Sequence, residues 1–205
     1  MTRVSRLRLT ALALAATISL TACGAPGHGD PGVAAVYRDK VITQDDVFAV
    51  SDALDGLYQS PHPGEALTLI LIGPGAVAIA EEAGFVLSDQ DLISNAAAWQ
   101  LASKGLSTTP TRTQIELIRV TQSLEYINSE AELIPKLIAL AQDIEANTVA
   151  SPRTGQFLFV NFGATMGEAA TLELELEGQL VPGFIAYKDV DGFTAEERPD
   201  WISGG

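Results

Sequence analysis

"VAAVYRDKVITQDDVFAVSDALDGLY", residues 33–58, decides the fold class. Val33–Ile42 is apolar on either side of Arg38-Asp39-Lys40, so it reads as two short strand arms joined by a turn. Thr43 then stands at an N-cap position, with Asp45 and Asp46 in the first helical turn. A capping oxygen takes up an orphan N–H there, and carboxylates favour the positive end of the helix dipole. Val47, Val50, Leu54 and Leu57 recur at helical spacing and predict one apolar stripe. A short strand pair running into a capped helix sets the expectation for the chain: mainly α, with a little sheet at its N-terminal end.

Upstream, Arg3, Arg6 and Arg8 precede the apolar run "ALALAATISL", and the first acidic residue is Asp30. A positive start, a short apolar core and a small-residue exit define a secretory signal. The core is too short for a membrane span, which needs about 20 apolar residues. The exit "LTAC" ends in Cys23, the only cysteine of the 205 residues, and a lone free thiol is a liability in an oxidising compartment. The "APGHGDPG" that follows is small, polar and rich in Gly and Pro, as in a flexible tether. The three signal arginines account for the change from a net charge of −14 to −17 in the remaining 183 residues. So acidic a surface excludes a nucleic-acid partner and a polybasic membrane patch.

Downstream, "SPHPG" at 60–64 breaks the chain. Ala66 to Ala80 carries no charge and predicts a buried central helix, kinked or interrupted at Gly73-Pro74-Gly75 and stopped at Gly84. A transmembrane reading fails on length and on that Gly-Pro-Gly. Ser88 with Asp91 three residues on opens a third helix. Ile115, Ile118, Leu124 and Ile127 share one face of a fourth. A fifth has Pro135 in its first turn, where the missing N–H costs nothing. Beyond Asn147 the pattern turns strand-like, around Val149 and over Phe157–Phe162. "TLELELEGQLV", 171–181, alternates Leu with Glu and predicts a half-buried strand whose outer face is Glu173, Glu175 and Glu177. The tail after Phe193 is polar and loose.

"LTAC" resembles a bacterial lipobox, which implies a diacylglycerol on the Cys23 sulfur and cleavage just before it. Two acyl chains give stable anchoring where one gives marginal binding. "AAVYRDKVITQDDVFAV", "AEEAGFVLSDQDL" and "NTVASPRTGQF" together resemble the N-terminal domain of SurA-like and PrsA-like extracytoplasmic foldases. The likeness covers residues 33–156. Ser151 stands before Pro152, and Thr154 replaces the usual aromatic residue. The resemblance implies a helical client-binding module in which the strand near residue 149 pairs with the N-terminal strand. Only 50 residues follow Gly155, too few for a parvulin isomerase domain, and both histidines, His28 and His62, precede it.

The expected organisation is a lipoprotein signal over 1–22, a tether over 23–32, a SurA N-terminal-like helical domain over 33–156 and a short β-rich extension over 157–205. No catalytic, cofactor or metal site is legible. His62 between two prolines reads as an exposed loop residue, and Glu173, Glu175 and Glu177 read as a solvated face protecting a strand edge rather than a Ca²⁺ site. The expected activity is non-enzymatic. An extracytoplasmic chaperone-like protein, held to the cell membrane by Cys23, would bind unfolded polypeptide clients in a groove lined by Leu67, Leu69, Ile70, Ile72 and Trp99. The alternative is an interaction lipoprotein with one fixed envelope partner, adding the 171–177 strand to that partner's sheet.

Overall fold

The computed structural model describes residues 32–57, 63–104, 109–152, 154–176 and 182–194. The signal, Cys23 and its tether up to Pro31, His62, Glu177 and the tail from Ala195 lie outside the described residues. In chain order the elements are β1 (Val33–Tyr37), β2 (Lys40–Thr43), α1 (Gln44–Leu57), α2 (Pro63–Glu82), α3 (Asp89–Lys104), α4 (Arg112–Ser129), α5 (Ile134–Asn147), β3 (Thr148–Ala150), α6 (Phe159–Glu175) and α7 (Pro182–Tyr187).

The expected hairpin forms, and β3 joins it in an antiparallel sheet of order β2-β1-β3. Val36 lies opposite both Val41 and Val149. Arg38 N donates to Asn147 O at 3.0 Å and Ser151 N to Ala34 O at 2.8 Å, so the even-numbered residues of β1 turn their main chain toward β3. Val41, opposite Val36, therefore points its own N–H and C=O away from β1, toward the sheet edge that no other described strand covers. The hairpin turn places Arg38 at φ 55°, a left-handed conformation unusual for a side chain with a Cβ. Asp143 at the end of α5 holds it there. Its carboxylate accepts two bonds from Arg38 Nη2, at 2.7 and 2.8 Å, and one from the Tyr37 hydroxyl. Those hydrogen bonds, Tyr37's first, keep the Asp143 carboxyl below the usual range.

Helix starts follow the local chemistry closely. Thr43 Oγ1 accepts from Asp46 N at 3.1 Å while Asp46 Oδ2 accepts from Thr43 N at 2.8 Å. Ser88 and Asp91 make the corresponding contact at α3, and Thr111 with Gln114 closes a full capping box at α4. Pro135 sits in the first turn of α5.

Helix α2 runs through Gly73-Pro74-Gly75 without interruption. At 20 residues and a mean hydropathy of 1.5 it is long and apolar enough to cross a bilayer by length and composition. Here it packs against α1, α4 and α5, with half of that apolar stretch buried. The two glycines explain the motif. A Cβ at Gly73 would lie 2.8 Å from Val120 Cγ2 on α4, and one at Gly75 would lie 2.5 Å from Leu140 Cδ2 on α5.

The β-rich C-terminal segment does not form. Residues 159–175 are helix α6 and 182–187 helix α7; the one extended contact among the described residues beyond β3 is a bridge between Phe157 and Phe193. Phe162, Met166 and Ala169 are buried at helical spacing. The Leu–Glu alternation is thus the tail of a helical pattern, and Leu174, on the supposed inner face, is 76% exposed. Addition of a 171–177 strand to a partner's sheet falls with it.

One hydrophobic core runs from Ala34 to Phe193 and spans both sides of residue 156. The 191–193 segment is fastened to α2 by Thr68, which is fully buried. Thr68 Oγ1 accepts from Gly192 N at 2.9 Å and reaches Asp191 Oδ1 at 3.3 Å, while Asp191 Oδ1 also accepts from Phe193 N at 2.8 Å. A Cβ at Gly64 would come within 2.5 Å of Asp191 Oδ2, so the carboxylate lies against the first turn of α2, where the helix dipole favours it. Replacing Thr68 by Val keeps the shape but strands the buried Gly192 N–H. The expected loss is about 1–3 kcal/mol of stability in urea unfolding, with Thr68→Ser retaining most of it.

Candidate functional site: an apolar groove between α1, α2 and α4

Two helical stripes face each other across a groove of about 350 Å³. On α2 the stripe is Ile70, Gly73, Pro74 and Val77; on α4 it is Thr113, Glu116, Leu117 and Val120. Each follows the i, i+3, i+4, i+7 spacing of one helix face. Leu69 flanks the first stripe, and Val50 of α1 closes one side. A second hollow of about 460 Å³ shares Val50, Ile70 and Thr113 and extends to Lys40, Val41 and Ile42 of β2. The groove therefore continues from the middle of α2, past Lys40 and Asp46, to the sheet edge that no other described strand covers.

Several local features hold this shape. Gln114 stands behind the α4 stripe and is buried; its Oε1 accepts from Gln100 Nε2 of α3 at 2.9 Å and from Thr111 N at 2.9 Å, and its amide reaches Ala53 O of α1 at 3.4 Å. That side chain ties three helices together at the groove's end. Pro74 is exposed, and its ring nitrogen has no hydrogen to give the Ile70 carbonyl. At the β2 end, Asp46 lies beside Lys40 with its carboxyl held below the usual range by hydrogen bonds from the Thr43 side chain and then its N–H.

Of the five residues expected to line a client groove, the structure brings together two. Leu69 and Ile70 border it. Leu67 and Ile72 are fully buried in the core, and Trp99 is buried with its ring edge-on to Phe184 of α7 at 5.0 Å. An apolar run on a helix occupies every side of it, so residues 67–72 cannot all face one opening. Val50, predicted as part of the α1 apolar stripe, also lines the groove, together with Val77, Leu117 and Val120, for which the sequence alone assigns no site role. The α2 and α4 spacings were present in the sequence, but only the fold shows that they meet. Among the described residues no group of three His, Cys, Asp or Glu side chains is placed to hold a metal ion.

Pro74 interrupts hydrogen bonding inside a helix, which costs about 3 kcal/mol where nothing compensates. Pro74→Ala restores a donor to the α2 ladder and should raise the unfolding midpoint, as measured by chemical denaturation. No protein-family model, curated protein or solved structure matches this chain, so the meaning of the groove rests on its own geometry.

Proposed function

We propose that this is a lipid-anchored, extracytoplasmic, chaperone-like protein without isomerase activity, which takes apolar segments of unfolded or partly folded clients into the α1–α2–α4 groove. The observation that carries the reading is an open groove, mostly aliphatic between α2 and α4, that continues to a β2 edge which no other described strand covers. An extended client segment laid along it would bury alternate side chains against Ile70, Val77 and Val120 and offer its main chain to Val41, the mode of strand addition. The resemblance of residues 33–156 to SurA-like foldases leans the same way. The anchor rests on "LTAC" and Cys23, and an acidic chain suits a domain held off an anionic membrane surface.

The test is light scattering of an unfolding client with the purified full chain, against an inert acidic protein. Suppression near equimolar ratio is expected. Val77→Gln, which places an amide on a half-buried groove wall, should weaken binding of an apolar peptide about tenfold, the equivalent of about 1.4 kcal/mol, while leaving the melting temperature nearly unchanged. N-methylation of the peptide's central amides should weaken binding further by removing main-chain donors. Scattering no lower than the control would sink the chaperone reading. Tight binding of a single envelope protein, with no suppression, would favour the fixed-partner lipoprotein.

A further inference from the structure

The β2 edge offers its main chain at one place. In an antiparallel pair, successive residues turn their N–H and C=O alternately toward the neighbour and away from it. Lys40 and Ile42, opposite Tyr37 and Ala35, direct theirs to β1, and Val41 turns its own outward. Thr43 turns outward as well, but its N–H donates to Asp46 Oδ2 at 2.8 Å. Val41 is thus the one β2 residue whose N–H and C=O both meet the edge that no other described strand covers.

The side chains divide in the same way. Ala35, Ile42 and Ala150 stand opposite one another on the core side, where Ile42 is fully buried. Val41, Val36 and Val149 share the outer face, with Val41 48% exposed. A strand added beside β2 continues both faces. Its residue opposite Val41 extends the valine row. The residues before and after that one turn to the core side, into the hollow lined by Ala49, Val50 and Ile70, with Lys40, Asp46 and Thr113 around them.

We propose that the β2 end of the groove takes an extended segment in a single antiparallel register, in which a non-proline residue exchanges both main-chain hydrogen bonds with Val41 and an aliphatic residue on each side of it enters the hollow. This rests on the strand-addition reading of the groove and names the segment it selects, aliphatic–x–aliphatic. Antiparallel pairing lets one residue satisfy both groups of Val41, whereas a parallel strand divides them between two. One such pair is a weak contact, so the two flanking side chains supply the rest of the affinity. Lys40 at the start of the edge works against longer pairing. A second copy of the chain is a poor occupant. Paired through its own Val41, it would turn its Lys40 into the hollow, and two chains of net charge −14 repel each other.

An N-methyl scan reads the register. The probe is a fluorescein-labelled peptide with one Val-Thr-Val triplet among serines, titrated with the purified full chain and followed by anisotropy. N-methylation of the threonine removes its donor to the Val41 carbonyl and should weaken binding about tenfold. N-methylation of either valine, whose N–H points away from β2, should change it by less than about threefold. In the protein, Val41→Pro removes the outward N–H and no bond of the β1–β2 ladder, a substitution that edge strands tolerate. It should weaken the peptide about tenfold, while Val41→Thr keeps the affinity. Should Val41→Pro fail to fold, the scan on the wild-type protein decides alone. Equal losses at all three amides, or a loss centred on a valine as parallel pairing gives, would overturn the register. So would binding of the apolar peptide used in the chaperone test without binding of the triplet peptide. Binding of neither sinks the groove reading together with the register.

Discussion

The structure depends on how closely other helices can approach α2. Gly73 and Gly75 lack the Cβ atoms that would strike Val120 and Leu140, so α4 and α5 settle against the middle of the same helix from different directions. Every other assignment on α2 follows from that arrangement. Leu67 and Ile72 face the sealed interior, Thr68 receives the 191–193 segment, and Ile70, Pro74 and Val77 are left on the remaining side. Widening the helix spacing by even a methyl group would disturb core and groove together, because interiors are close-packed.

Features written in a few adjacent residues were legible. The Thr43, Ser88 and Pro135 helix starts and the 33–43 hairpin need only neighbours to form, and each stands where the residues placed it. Pairing of the 149 strand with the first strand came from resemblance, and the register of Val36 with Val149 matches it. The C-terminal helix was hidden because Gly163 and Gly167 dilute the helical stripe while Leu172–Leu176 mimics a strand. The groove was hidden for a different reason. Hydrophobicity says which side chains leave water, and only the crossing of α2 with α4 says which are left partly uncovered. Gln114 reads as a capping residue from sequence; its reach to α1 and α3 is tertiary.

An apolar groove on so acidic a chain combines two opposed tendencies. The aliphatic walls attract any exposed hydrophobic segment, including one on a second copy of the protein. The net charge of −14 works against that self-association at long range. Charges in the lining are few, Glu116 on the α4 wall and Lys40 with Asp46 toward β2.

The sheet order has a consequence for how the chain becomes a protein. β1 lies in the middle, yet its partner β3 begins at Thr148, after five helices. A chain emerging N-terminus first has both strands of the β1–β2 hairpin early, but the other edge of β1 has no β3 to pair with until all five helices have been delivered. Pairings this distant in sequence are slow to close and are exposed while open. The first strand to appear is therefore among the last to be satisfied, and the final turn of α5, through Asp143 and Arg38, acts as the latch that ends the wait.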